Sequence, residues 1–199
     1  MLDIKENEPL TKHSTYKIGG PARYFIVVKS KGDILDAIDF VYQKKLPFFL
    51  IGGGSNILFN DKGYEGVIIK IHLSGFKVDG QNIISGAGVS LAQLINVSID
   101  NNLTGLEWGV GIPGTIGGAV NGNAGAYGSS ISENVESVVV LDENGQEKKY
   151  LKEECGFKYR SSKFKKIDNK EIIVEVYLKL EKGDKEKSRE KIKDILTQR

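Results

Sequence analysis

One cysteine, two histidines and no long apolar run close several classes of function to this 199-residue chain. A lone Cys155 can form neither an internal disulfide framework nor a cysteine-rich zinc site, and such sparing use fits a reducing compartment. His13 and His72 lie far apart with no ligand spacing around them, so no metal is expected. No stretch reaches the roughly 18 apolar residues of a membrane-spanning helix. The opening MLDIKENEPL is too acidic and too interrupted for a signal peptide, and the expected location is cytoplasmic, away from membranes. An excess of charge of one sign is also missing: 28 Lys and Arg stand against 26 Asp and Glu. The basic residues do not gather with aromatics, which argues against a nucleic-acid partner. What remains, 40% hydrophobic and 27% charged, is an ordinary globular composition. A chain of this length can bury roughly 70% of its unfolded surface, enough for a true core.

Glycine is abundant: there are 24, and nine fall between Gly105 and Gly128. Before that segment the chain alternates strand and helix patterns. Tyr24 to Val28 is a short apolar run, and Asp33 to Lys45 carries Ile34, Ile38, Val41 and Tyr42 at helical spacing. Pro47 ends that helix, and Pro47 to Ile51 reads as a strand buried on both faces. Val67 to Ile71 and Asn82 to Ser85 read as strands, and Ser90 caps a helix that runs to Asn101. From Thr104 to Ser130 periodicity vanishes, and so long a glycine-dense stretch is expected to wrap something. Strands resume at Val135 to Leu141 and Lys148 to Leu151, and Ile172 to Leu180 alternates as a half-buried strand. The tail from Asp184 has helical spacing but few apolar anchors beyond Ile192, Ile195 and Leu196, so alone it is marginal and needs a surface to pack on.

Two glycine segments and one basic segment carry chemistry. Gly52-Gly-Gly-Ser-Asn56 follows a strand, where backbone N–H groups can face an anion and Ser55 and Asn56 can add donors; a pyrophosphate is favoured over a plain tight turn. It contains no Gly-Lys-Ser/Thr, so it is not a nucleoside-triphosphate loop. Gly109-Val-Gly-Ile-Pro-Gly114 matches the dinucleotide fingerprint in form, but no buried strand precedes it, and Gly117 and Gly118 stand where its helix should run. A better account treats Gly111 to Gly128 as one extended backbone surface along a flat, partly anionic ligand, with Asn121, Asn123 and Tyr127 offering hydrogen bonds at its edge. In the segment Cys155 to Phe164, Arg160 could clamp a carboxylate or phosphate and Tyr159 could donate a hydrogen bond; the alternative is a solvated basic loop. Cys155 fits a small buried hydrophobe, and His13 and His72 fit local hydrogen bonding.

Taken in order, His13-Ser-Thr-Tyr-Lys-Ile-Gly-Gly-Pro-Ala22, Ile51-Gly-Gly-Gly-Ser-Asn-Ile-Leu58, Gly86-Ala-Gly88, Gly105-Leu-Glu-Trp108, Gly111 to Gly128 and Tyr159-Arg-Ser-Ser-Lys-Phe164 closely resemble one family. It is the UDP-N-acetylenolpyruvoylglucosamine reductases, also called UDP-N-acetylmuramate dehydrogenases. Six motifs in sequence order are far more specific than any one alone. The resemblance implies an α+β chain with the vanillyl-alcohol-oxidase-like FAD-binding fold, in which two α+β subdomains hold noncovalent FAD. It implies subdomains at residues 1–75 and 76–183, with 184–199 a helical tail towards a third domain. It also implies NADPH as reductant, UDP-N-acetylenolpyruvoylglucosamine as substrate, and a place in peptidoglycan precursor synthesis. By position, Gly52, Gly53, Gly54, Ser55 and Asn56 would hold the FAD pyrophosphate. Gly111, Ile112, Pro113, Gly114, Gly117 and Gly118, with Asn123, Gly125 and Tyr127, would lie against the cofactor. Arg160 matches the family's active-site arginine, and Tyr159 would line the same site.

One departure accompanies the match. In this family a third domain supplies a serine proton donor and an assisting glutamate, and the serine motif, Ala-Gly-Ser followed by Phe-Lys-Asn, occurs nowhere in the 199 residues. Ser161 and Ser162 do not match it. The expectation is therefore the FAD-binding portion of the enzyme, with the absent C-terminal domain as a candidate partner. Without a positioned acid, proton transfer to the substrate should lose a factor of about 10² to 10⁴. Two further readings stay open, an FAD-binding module without complete turnover and a related flavin oxidase.

Overall fold

Ser30 and Asp33 start the first helix by satisfying each other's ends. The Ser30 hydroxyl accepts from the Asp33 N–H at 3.1 Å, and the Asp33 carboxylate accepts from the N–H groups of Lys29 and Ser30 at 2.8 and 3.1 Å. A computed structural model describes residues 2–166 and 171–198. It divides into two compact units, Met1–Ser74 and Gly75–Arg199.

The first unit contains β1 (Ile4–Pro9), β2 (Pro21–Val28), α1 (Lys31–Lys44), β3 (Phe48–Ile51) and β4 (Tyr64–Ile71). Its sheet runs β1-β2-β4-β3, with β1 antiparallel to β2 and the β2/β4 and β4/β3 pairs parallel. The expectation that Pro47 to Ile51 is buried on both faces is corrected. β3 pairs with β4 alone at a sheet edge, Phe49 is exposed, and only Ile51 is buried. The strand covered on both faces is β4, where Val67, Ile68 and Ile69 are buried in succession. Ile34, Ala37 and Val41 are the buried residues of α1, and Leu10, Ala22, Phe25, Ile51, Phe59 and Ile68 form a core cluster.

The second unit contains β5 (Phe76–Asp79), β6 (Asn82–Gly86), α2 (Leu91–Asp100), β7 (Leu103–Thr104), α3 (Ile116–Gly122), β8 (Gly125–Ala126), β9 (Ser129–Ser130), α4 (Ile131–Asn134), β10 (Val135–Leu141), β11 (Glu147–Leu151), β12 (Ile172–Lys179), β13 (Glu181–Lys182) and α5 (Lys185–Thr197). Five strands form an antiparallel sheet, β11-β10-β12-β6-β5. Residues 104–130 are less irregular than their composition suggests, since they hold α3 and the β8/β9 hairpin. A helix thus does follow Gly114, despite Gly117 and Gly118. The dinucleotide fingerprint still fails on its other requirement, because a 3-10 turn at Glu107–Gly109 precedes it where a strand should be. The tail also finds its surface. Asp184 caps α5, Ile195 is buried, and the Ser188 hydroxyl reaches the Glu107 carboxylate at 2.8 Å. Among the described residues no helix is long and apolar enough to cross a membrane.

Candidate functional site

The second unit brings two of the sequence motifs to one cavity of about 460 Å³. Asn123, the hairpin from Gly125 to Ser130, Tyr159 and Arg160 line it. Three of the non-glycine residues among these, Asn123, Tyr127 and Arg160, have positive φ of 44°, 53° and 52°. Left-handed backbone costs a side-chain-bearing residue on the order of 1 kcal/mol, and such strain gathers where a site imposes its geometry. Gly125 is glycine for want of room, since a Cβ there would lie 2.5 Å from the Ser129 carbonyl oxygen.

Tyr159 and Arg160 form the tip of a hairpin closed by two hydrogen bonds between Lys158 and Ser161, at 2.9 and 3.1 Å. Tyr159 is 90% exposed, and the Arg160 guanidinium carbon lies 5.6 Å from its ring centroid. Lys165 donates to the Arg160 carbonyl at 2.9 Å, so one basic side chain of this segment braces the hairpin. Two edge groups expected to meet a ligand are engaged within the protein. The Asn123 amide donates to the Lys158 carbonyl and accepts from the Ser132 N–H, and the Tyr127 hydroxyl donates to the Ile195 carbonyl at 3.4 Å.

Upstream of the cavity, Gly111 to Gly118 is knitted to the Gly86-Ala-Gly88 motif. Gly117 N–H donates to the Ala87 carbonyl, Ile116 N–H to Val89 and Leu91 N–H to Gly114, all within 3.0 Å. Gly117 packs so closely that a Cβ would sit 2.8 Å from that of Ala87. Gly118 and Gly122 differ: a Cβ at Gly118 would meet only the Thr115 hydroxyl at 3.5 Å, and one at Gly122 would meet nothing within 4 Å. Glycine costs a helix about 1 kcal/mol relative to alanine, and neither crowding nor φ demands it at these two positions. They leave one strip of α3 as bare backbone. Gly111 and Gly114 take φ of 74° and 129° where the chain turns into this helix; Ile112 is half-buried beside the exposed Pro113.

In the first unit, Gly52 to Asn56 follows β3. Gly54 has φ of 69°, and a Cβ on it would lie 1.9 Å from the His13 carbonyl oxygen, so it serves a close crossing of two loops. Thr15 donates to the Gly54 carbonyl from both its N–H and its hydroxyl, at 3.1 and 3.2 Å. Gly53 is exposed, with Gly52 and Ser55 half-buried and Asn56 exposed beside it. His13 stacks on Phe25 at 3.9 Å and lies 3.0 Å from the Glu8 carboxylate, the local role expected of it. In the second unit Cys155 is buried, and burial pushes its thiol up to about 11.

Sequence reasoning missed one residue of the second unit, Glu107. It is 1% exposed and accepts from the Thr104 hydroxyl at 2.7 Å, the Gly105 N–H at 3.0 Å and the Ser188 hydroxyl at 2.8 Å. Lys191 stands 3.6 Å from the same carboxylate. Burial works to raise its pKa, but hydrogen bonds from Thr104, its own backbone, Ser188 and Gly105 outweigh it and hold the carboxyl below the ordinary value. Only its place in Gly105-Leu-Glu-Trp108 hinted at this, because an acidic residue otherwise reads as surface.

Residues 22–150 match the family described as FAD binding domain. The chain belongs to the FAD binding domain family. It is 41% identical to the UDP-N-acetylenolpyruvoylglucosamine reductase of Caldanaerobacter subterraneus subsp. tengcongensis over 95% of this chain and 62% of that protein. It is also 41% identical to that of Carboxydothermus hydrogenoformans, over 98% of this chain and 65% of the relative. The chain thus spans less than two thirds of the length of these curated relatives. Among solved structures, the same enzyme from Thermus caldophilus superposes with a TM-score of 0.82 at 29% identity, covering 100% of this chain and 69% of that one. A BBE-like protein of Physcomitrella patens shares the fold, with a TM-score of 0.66 at 14% identity over 90% of this chain and 42% of that one. The resemblance drawn from the six motifs is borne out, as is the α+β fold class of this FAD binding domain.

Proposed function

We propose that the chain binds FAD noncovalently and serves the NADPH-dependent reduction of UDP-N-acetylenolpyruvoylglucosamine to UDP-N-acetylmuramate in cytoplasmic peptidoglycan precursor synthesis. One observation carries the reading: the glycine-rich hairpin and Arg160 line one cavity, so a flat cofactor surface and a fixed cation are within reach of one substrate. The residues present fit FAD. The bare strip at Gly118 and Gly122 suits the close approach of a planar, anionic group to backbone, and exposed Gly53 leaves the loop after β3 open to a pyrophosphate. The engaged positions of His13 and buried Cys155 support a noncovalent mode.

Bound FAD supplies hydride chemistry, accepting from NADPH and delivering to the enolpyruvyl double bond. The planar guanidinium of Arg160 can hold the substrate carboxylate through two hydrogen bonds. Fixed there, it also stabilises the negative charge that grows beside the carboxylate as hydride adds. Tyr159 forms the neighbouring wall. Gly52 to Asn56 and Gly111 to Gly118 hold the cofactor, and Gly125 and Tyr127 shape the cavity by backbone.

The test begins with the purified protein. It should be yellow and release FAD on denaturation. NADPH should bleach the flavin under anaerobic conditions, and UDP-N-acetylenolpyruvoylglucosamine should restore the colour with formation of UDP-N-acetylmuramate, at a rate lowered by about 10²- to 10⁴-fold where no positioned acid is present. A protein that stays colourless after incubation with FAD would remove the cofactor assignment. A protein that takes up FAD but binds no nucleotide sugar would leave only the flavin-holding module.

A further inference from the structure

We infer that Asn123 is a positioning residue for Arg160, acting through the carbonyl of Lys158; the inference rests on the functional reading above. Asn123 closes α3 with φ of 44°, a conformation that asparagine and glycine tolerate better than other residues. Its side chain is 8% exposed by residue and used at both ends. The Nδ2 group donates to the Lys158 carbonyl at 2.9 Å, and Oδ1 accepts from the Ser132 N–H at 3.3 Å. Because one partner is an acceptor and the other a donor, only one orientation of the amide satisfies both.

Lys158 is the first residue of the hairpin whose tip is Tyr159 and Arg160. The far limb is held from the same place, by the Ser162 hydroxyl donating to the Asn121 carbonyl at 2.8 Å. Asn121 and Asn123 thus fix both limbs of the arginine hairpin to the end of the glycine helix. Arg160 itself is exposed, and its φ of 52° is one that arginine adopts only when its surroundings enforce it. A bidentate clamp works only from a fixed origin, and a misplacement of about 1 Å can cost about 10²-fold in rate.

Two substitutions separate the functions of the amide. Asn123→Asp keeps an acceptor for Ser132 and tolerance of positive φ, but sets a carboxylate oxygen against the Lys158 carbonyl. Asn123→Gly keeps the backbone conformation and removes both bonds. In the full-length, FAD-loaded protein each should lower kcat/KM for UDP-N-acetylenolpyruvoylglucosamine by about 10- to 100-fold. FAD affinity and the rate of flavin reduction by NADPH should stay within about threefold, since the functional reading assigns Arg160 to the enolpyruvyl carboxylate. In an Arg160→Ala background the same substitutions should change kcat/KM by less than about twofold, because a residue acting through another loses its effect when the other is gone. Trypsin should also cut after Lys158 and Arg160 about tenfold faster in both variants at unchanged Tm, as a released hairpin opens more often.

A loss of the same size in the Arg160→Ala background, or loss of FAD from both variants, would overturn the inference and make Asn123 a cofactor or scaffold residue. Unchanged kcat/KM with unchanged cleavage would overturn it too. If the unsubstituted protein takes up FAD but does not reduce the nucleotide sugar, the functional reading falls. Faster cleavage in the variants would then still show Asn123 holding the hairpin, without service to that reaction.

Discussion

Gly53 and Gly54 are neighbours with different duties, and substitution separates them. Gly54 has a positive φ and no room for a Cβ beside the His13 carbonyl, so Gly54→Ala should lower Tm by disrupting the crossing of two loops in the first unit. Gly53 is exposed, and its φ is not among the left-handed glycines. Gly53→Val should therefore leave Tm near its starting value while weakening FAD binding at least about 10-fold, the cost of one unmade hydrogen bond to a charged group. Titration of the apoprotein with FAD, followed by flavin fluorescence, reads the second effect, and undiminished affinity would remove this loop from the cofactor site. Arg160→Ala should leave FAD affinity and Tm nearly unchanged and cut kcat/KM for the enolpyruvyl substrate by roughly 10²-fold or more. Loss of FAD or of the fold would make Arg160 a scaffold cation instead. At this scale the sequence was legible where chemistry is local: three glycines after an apolar run, a Tyr-Arg pair in a basic segment. It was illegible where a partner comes from far along the chain. Nothing near Asn123 announces that its amide will meet Lys158, and nothing near Tyr127 points to Ile195.

Helix α5 shows how an element of weak intrinsic character is kept in place. Its apolar anchors are few, but Ser188 and Lys191 present a hydroxyl and an ammonium to the buried Glu107 carboxylate, and Lys185 meets Asp100 at 2.6 Å. The pH dependence has a definite sign. A carboxyl whose folded pKa lies below its unfolded value stabilises the fold above the ordinary glutamate value of 4.5, and that contribution is lost as pH falls through the lower, folded pKa. Denaturant midpoints measured between pH 7 and pH 3 should fall, and Glu107→Gln should flatten that fall while lowering the midpoint at pH 7. An unchanged slope would mean that other carboxylates dominate acid unfolding. Element boundaries were read well where caps are local: Ser90 accepts from the Gln93 N–H at 3.1 Å and opens α2 as expected. The burial of β3 was misread because an apolar run states that a strand is hydrophobic, not whether it lies in the middle of a sheet or at its rim. β1 is not legible in the sequence because half of its six residues are charged and nearly all are exposed, and only its pairing with β2 makes it a strand.

At the scale of the whole molecule, the proposed reaction divides into flavin reduction and substrate reduction, and the Ala-Gly-Ser motif expected to serve the second does not occur in the 199 residues. Expressed as these residues alone, the protein should let its flavin be bleached by NADPH, while anaerobic reoxidation by the enolpyruvyl substrate should be slower than in the longer relatives by about 10² to 10⁴. Stopped-flow absorbance measures both steps, and rapid reoxidation with product formation would show that a residue already present donates the proton.

The strand order of the second unit also constrains how the chain comes together during synthesis. All four strands of the first unit lie before Ser74, so its sheet can close early in translation, which proceeds at about 5–20 residues per second. The second unit has no such freedom. β12, which joins β10 to β6 through pairs such as Val138 with Val176 and Ile83 with Leu178, is its last long strand to be made. Until it emerges, the hairpins β5/β6 and β10/β11 each present an unpaired ladder to solvent. A chain that has emerged from the ribosome only as far as Ile172 would therefore hold a finished first sheet followed by two half-sheets with open edges, a state exposed to misassembly and to chaperone capture.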